Sequence, residues 1–228
     1  MEGNLVRLGG VFGLLAVLLM IPAYLVGYPD APGSPEEATS YFDAGPGAFV
    51  FFNGVLPLFH VLFFLLFLGV LYGVLRRAGE GTREVVRGGL PATVLAGGIV
   101  FAALEAAGLA VEIVYPATLQ RFGALEANAA FVLVSLTLSA WLYHFCQIGA
   151  SVMVLATSLV ALEAGVLPRW LVVVGFVVAL LTLLHFLLPL LGALAGLAWV
   201  AAVSVLMLAG GVQSTYGPHI HRVRSSGR

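Results

Sequence analysis

Five ionisable side chains stand inside otherwise apolar stretches of this chain: His60, Glu105, Glu112, His144 and His185. An ionised group in hydrocarbon costs from about 3 to more than 10 kcal/mol, so such residues turn toward a bundle interior or a polar cavity. Imidazoles beside carboxyls suit three chemistries: proton relay, metal ligation and haem ligation. Residues three, four or seven apart share a helix face. Asn53, Pro57 and His60 follow that spacing. So do Gly98, Ala102, Glu105 and Glu112; Thr137, His144, Gln147, Ser151 and Ser158; and Gly175, Thr182, His185 and Pro189. Four helices would each carry one polar or small-residue stripe, and small residues on such stripes let helices approach closely.

Counting from the ends of the apolar runs at about 1.5 Å per residue puts these groups in two layers. A middle layer holds His60, Glu105 and His144, with Gln147 just inward; an outer layer holds Asn53, Glu112 and His185, joined by Tyr115. The pattern reads as a polar pocket of His60, Glu105, His144, Gln147, Asn53, Glu112 and His185. It would open outward and bind a small ligand, proton or ion for transport or sensing. Two alternatives use the same residues. His60, His144 and Glu105 could supply three ligands to a single open metal site, or His60 and His144 could be the axial ligands of one haem. Neither has a local motif behind it: H-E-x-x-H and C-x-x-C are absent, so each ligand would come from a different helix. A plainer reading is a structural or partner-binding bundle. A membrane histidine often does no more than hydrogen-bond a neighbour, and Glu112 is close enough to an interface to reach water.

The elements that must hold these groups are membrane-spanning helices. Of 228 residues, 61% are hydrophobic and 9% charged, against about 25% charged in soluble domains. That excludes an ordinary soluble enzyme, a disordered chain and a nucleic-acid binder. A crossing takes about 20 apolar residues. Six stretches qualify: Leu5–Val26, Ala48–Leu75, Leu90–Tyr115, Ala129–Leu162, Trp170–Leu190 and Gly192–Val212. The last two are divided by a tight hairpin near Leu191–Gly192, which Pro189 and Gly192 suit. The first run exceeds the 7–15 residues of a signal-peptide core and has no small-x-small cleavage site, so it reads as a retained helix. The expected fold is all-α: one polytopic transmembrane domain over 1–228, a bundle of six helices.

Orientation follows the arginines. Arg7, Arg76, Arg77, Arg83, Arg87, Arg169, Arg222, Arg224 and Arg228 fall on one alternating side, and Arg121 alone on the other. Both termini are therefore expected in the cytoplasm, with the protein in the bacterial plasma (inner) membrane. The opposite side carries the loop Tyr28–Gly47, with Asp30, Glu36, Glu37 and Asp43; within it Ser34 could cap a short surface helix. Trp170, Tyr28, Tyr41 and Tyr216 fall near interfaces, as aromatic belts do.

The remaining residues are quieter. Cys146 is the single cysteine, which rules out an internal disulfide and suits a packing role. No lysine is present, so no lysine Schiff base can form. Phe63, Phe64 and Phe67 read as lipid-facing or core, and His219 and His221 as part of a basic tail at anionic headgroups. The lipid bilayer is the expected partner, with a homo-oligomer open.

Gly165-Val166-Leu167-Pro168-Arg169-Trp170-Leu171, with Gly175 four residues on, resembles the start of the fifth helix in a bacterial family of small six-helix membrane proteins grouped as a domain of unknown function. Arg7-Leu8-Gly9-Gly10 and the pair Arg76-Arg77 fit the same family. The resemblance implies fold and location over nearly the whole chain, and no activity.

Overall fold

The computed structural model describes residues 2–26, 34, 37, 46–80, 82–122 and 129–212. Most of the acidic loop, Tyr28, Tyr41, Tyr216, the tail histidines His219 and His221, and Arg222, Arg224 and Arg228 lie outside the described residues. Within that loop the Ser34 hydroxyl accepts the Glu37 backbone N–H at 3.2 Å, the capping bond expected of it.

Every described element is helical: α1 (Glu2–Val26), α2 (Pro46–Val50), a π turn (Phe51–Val55), α3 (Leu56–Gly79), α4 (Glu84–Gly88), α5 (Leu90–Phe122), α6 (Ala129–Ala164), α7 (Arg169–Leu183) and α8 (Pro189–Leu208). Proline marks the start of α8: Pro189 occupies its first turn, where the missing N–H would have been unpaired anyway. Five apolar segments are long enough to cross a membrane: Gly3–Leu25, Gly47–Gly79, Leu90–Phe122, Ala129–Ala164 and Pro189–Leu208. Helix α7 has only 15 residues, about 22 Å at 1.5 Å per residue.

The six main helices form an up-and-down ring in chain order. Close approaches fix the register. A Cβ on Gly9 of α1 would lie 2.6 Å from Val70 of α3 and 2.8 Å from Met207 of α8; one on Gly13 would strike Ser204 and Phe67. Thus α1 runs antiparallel to both neighbours and closes the ring. Gly98 meets Leu68 across α3 and α5, Gly97 meets Gly149 across α5 and α6, and Gly175 meets Ser158 across α6 and α7. Arg76, Arg77, Arg83 and Arg169 consequently share one end of the bundle with the N-terminus. There Arg83 pairs with Glu163 at the end of α6.

Apolar side chains cover the outside of the ring: Leu58 is 70% exposed, Val134 66% and Val173 62%. Buried positions include Asn53, His60, Glu105, Gln147, Ser151 and Thr157. A surface more apolar than parts of the interior, on several long apolar helices, is what a hydrocarbon solvent requires. Phe64 and Phe67 belong to the core.

Two boundaries differ from the sequence expectation. The fifth apolar run does not continue to Leu190; it breaks at Leu184–Leu188, and the hairpin lies there instead of at Leu191–Gly192. A residue before proline is pushed out of the α region. Leu188 accordingly sits at φ −135°, ψ 65°, and Pro189 begins the next helix. His185 therefore lies in the turn, off any helical stripe. The second run carries a wide turn: Pro57 cannot donate an N–H, and its ring crowds the carbonyl four residues back. The turn just ahead of it opens to π geometry, with the Leu56 N–H donating to the Phe51 carbonyl.

Candidate functional site

His60 and Glu105 form the centre of the site. Both are buried, on α3 and α5, and His60 Nε2 lies 2.9 Å from Glu105 Oε2. His60 Nδ1 lies 2.8 Å from the backbone carbonyl of Ala16 on α1. A carbonyl can only accept, so Nδ1 carries a hydrogen and donates it. The Nε2–Oε2 contact then holds one further proton. It sits either on Glu105, donated to a neutral imidazole, or on His60, donated to a carboxylate. The two forms have the same proton count and differ only in which atom holds it. Loss of that proton would leave two lone pairs facing each other across 2.9 Å. The ring also stacks on Phe64, centroids 6.1 Å apart, which fixes its plane.

The pair borders a cavity of about 30 Å³ along the ring axis. Ala16 and Tyr24 of α1, His60 of α3, Glu105 of α5, Gln147 of α6 and Gly196 of α8 line it. So α1, α3, α5, α6 and α8 all contribute, and no residue of α7 lines it. About 30 Å³ accommodates a water molecule or a small ion, not an organic ligand. Gln147 faces this space and also donates weakly to Cys146 Sγ at 3.8 Å. Cys146 itself is fully buried and donates to the Tyr143 carbonyl at 3.1 Å, a packing role as expected.

The other pocket residues go elsewhere. His144 turns away from the His60–Glu105 pair: its ring meets His185, centroids 5.3 Å apart, and Trp141 at 5.5 Å. The Nδ1 atoms of His144 and His185 are both buried without a hydrogen-bond partner. Thr137 is exposed. The cause is helix geometry. At about 100° per residue, positions seven apart are offset by about 20° but positions three apart by about 60°. His144, Ser151 and Ser158 thus look toward α7, where Ser151 donates to the Ala179 carbonyl at 2.7 Å, while Gln147 looks into the cavity. The outer layer does not converge either. Asn53 donates back to the Phe49 carbonyl of α2 at 3.3 Å, Glu112 accepts from Tyr143 at 3.0 Å, and His185 faces His144.

These positions correct the cofactor alternatives. Among the described residues no group of three or more His, Cys, Asp and Glu side chains is placed to hold a metal ion, so His60, His144 and Glu105 do not form a three-ligand set. A haem does not fit between His60 and His144. Both nitrogens of His60 are engaged, and the space beside it is that of a water molecule, far below a porphyrin.

Three participants were not singled out from the sequence. The Ala16 carbonyl is invisible there, because every residue has one. Tyr24 lies near the C-terminal end of α1, where tyrosine reads as an interface anchor. Tyr143 is next to His144, and its spacing of four from Ser139 and Gln147 was the available signal. Comparison with protein-family models, with curated proteins and with solved structures returns no match for this chain.

Proposed function

We propose that this chain is a six-crossing protein of the bacterial plasma membrane, with both termini cytoplasmic, that holds and passes a proton at His60–Glu105 for transport or sensing. One observation carries the reading: a buried histidine is clamped between a backbone carbonyl and a carboxyl, beside a water-sized cavity at the axis of the ring. The size of the space favours a proton, with water or a small ion, over a larger ligand. The clustering of arginines at the N-terminal end supports the orientation, and α7 together with its following turn supplies the sixth crossing.

The test is infrared difference spectroscopy of the full chain in bilayers across a pH series. A carboxylic-acid C=O band should change with pH, vanish in Glu105→Gln and shift in His60→Gln. If no pH-dependent band traces to Glu105, the pair is a register device and the proton reading is wrong.

A further inference from the structure

We propose that Glu112 and Tyr143 form the entry through which protons reach the His60–Glu105 pair from the end of the bundle opposite the arginines. This rests on the proton-site reading and adds a route and a side to it. Glu112 follows Glu105 by seven residues on α5, two turns or about 10.5 Å along one face. Gly108 lies between them. A Cβ there would stand 3.5 Å from Tyr143 Cζ and 3.6 Å from the Ser139 carbonyl. The Tyr143 ring thus lies in ordinary van der Waals contact with α5 at Gly108, between the positions of the two carboxyls. Ser139 Oγ donates to the Gly108 carbonyl at 2.9 Å and holds that crossing.

The Tyr143 hydroxyl donates to Glu112 Oε2 at 3.0 Å. Tyr24 packs in the same cluster as Tyr143 and also lines the cavity beside Glu105. A hydroxyl both donates and accepts, so it can pass a proton without net change. Glu112 takes a proton from water and gives it to the Tyr143 oxygen. With the hydroxyl first turned from Glu112 to the cavity side, the proton already on that oxygen leaves toward the cavity, where Glu105 Oε2 or His60 Nε2 receives it through Tyr24 or a water that the space can hold. One O–H bond breaks and one forms at each oxygen, and one proton crosses. Rotation of the Tyr143 hydroxyl resets the path.

The experiment follows the Glu105 infrared band in time after a pH jump, on the full chain in bilayers. Tyr143→Phe and Glu112→Gln should each slow its appearance by roughly a hundredfold, the lower end of what a positioned proton-transfer group contributes. The final amplitude should stay the same. Glu112→Asp, which keeps an acid, should recover much of the rate. Unchanged rates in both Tyr143→Phe and Glu112→Gln, with the wild-type band present, overturn the route and leave the site standing. A wild-type protein without a Glu105 band overturns the site and the route together. If Tyr143→Phe fails to fold, Glu112→Gln decides, since its amide can still accept the tyrosine hydrogen bond.

Discussion

The Nδ1–H of His60 donates to the main-chain carbonyl of Ala16 at 2.8 Å, across the contact between α3 and α1. Because the acceptor is backbone, no side-chain substitution at Ala16 removes it. The bond presets the tautomer of His60 and directs Nε2 at Glu105. Everything proposed for the site follows from that preset.

The first prediction concerns stability of the pair. In Glu105→Gln the amide can donate to a bare Nε2, so unfolding stability should stay within about 1 kcal/mol of wild type. Glu105→Leu leaves Nε2 buried without a partner and should cost about 1–3 kcal/mol. Thermal or denaturant unfolding in detergent reads both. Equal losses in the two variants would mean that the Nε2–Oε2 bond contributes nothing.

The second concerns the crossing that carries Glu105 and Gln147. A Cβ on Gly97 would lie 2.8 Å from the Gly149 carbonyl oxygen, and one on Gly149 2.6 Å from the Phe101 amide nitrogen. Both obstacles are backbone and cannot swing away. Gly97→Ala and Gly149→Ala should each lose about 1–3 kcal/mol, the usual cost of overpacking. At Gly69 nothing lies within 4 Å of an added Cβ. Gly69→Ala should therefore gain about 0.4–1 kcal/mol by restricting the unfolded chain. A loss at Gly69 equal to that at Gly97 would remove the close-approach argument.

His144 and His185 provide a third. Each buries an Nδ1 with no hydrogen-bond partner, a burden of about 1–3 kcal/mol. His185→Leu should be neutral or stabilising by up to about that amount, judged by the unfolding midpoint. Destabilisation by more than about 2 kcal/mol would show that the histidine pair makes a contribution of its own.

The fourth is orientation. Cys146 is fully buried, so the native chain should give little background with a membrane-impermeant maleimide. Arg83→Cys should be modified only in inverted vesicles, and Phe122→Cys, at a side chain 69% exposed, only in intact cells. The reverse pattern would invert the topology and place the Glu112 entry on the cytoplasmic face.

Much of the bundle was legible because apolar run length and arginine position are strong, local signals. Helix ends were read less well. Proline acts on the residue before it, which moved the hairpin upstream to Leu184–Leu188 and took His185 out of α7. The His60–Glu105 contact could be anticipated from matching depth on two helices. His144 could not be separated from them, since depth says nothing of azimuth, and a rotation of about 60° between His144 and Gln147 decides which one meets the cavity. The Ala16 carbonyl and the Tyr143–Glu112 bond depend on which helices are neighbours in the ring, a property that no single helix encodes.

Nitrogen-15 magnetic resonance of histidine-labelled protein in bilayers, with His60 assigned by its loss in His60→Gln, reads the proton site itself. Nδ1 should carry a hydrogen at every pH at which the fold persists, while the Nε2 signal follows pH together with the Glu105 carboxyl. A neutral His60 protonated on Nε2 alone, or an Nε2 signal indifferent to pH, would contradict the account.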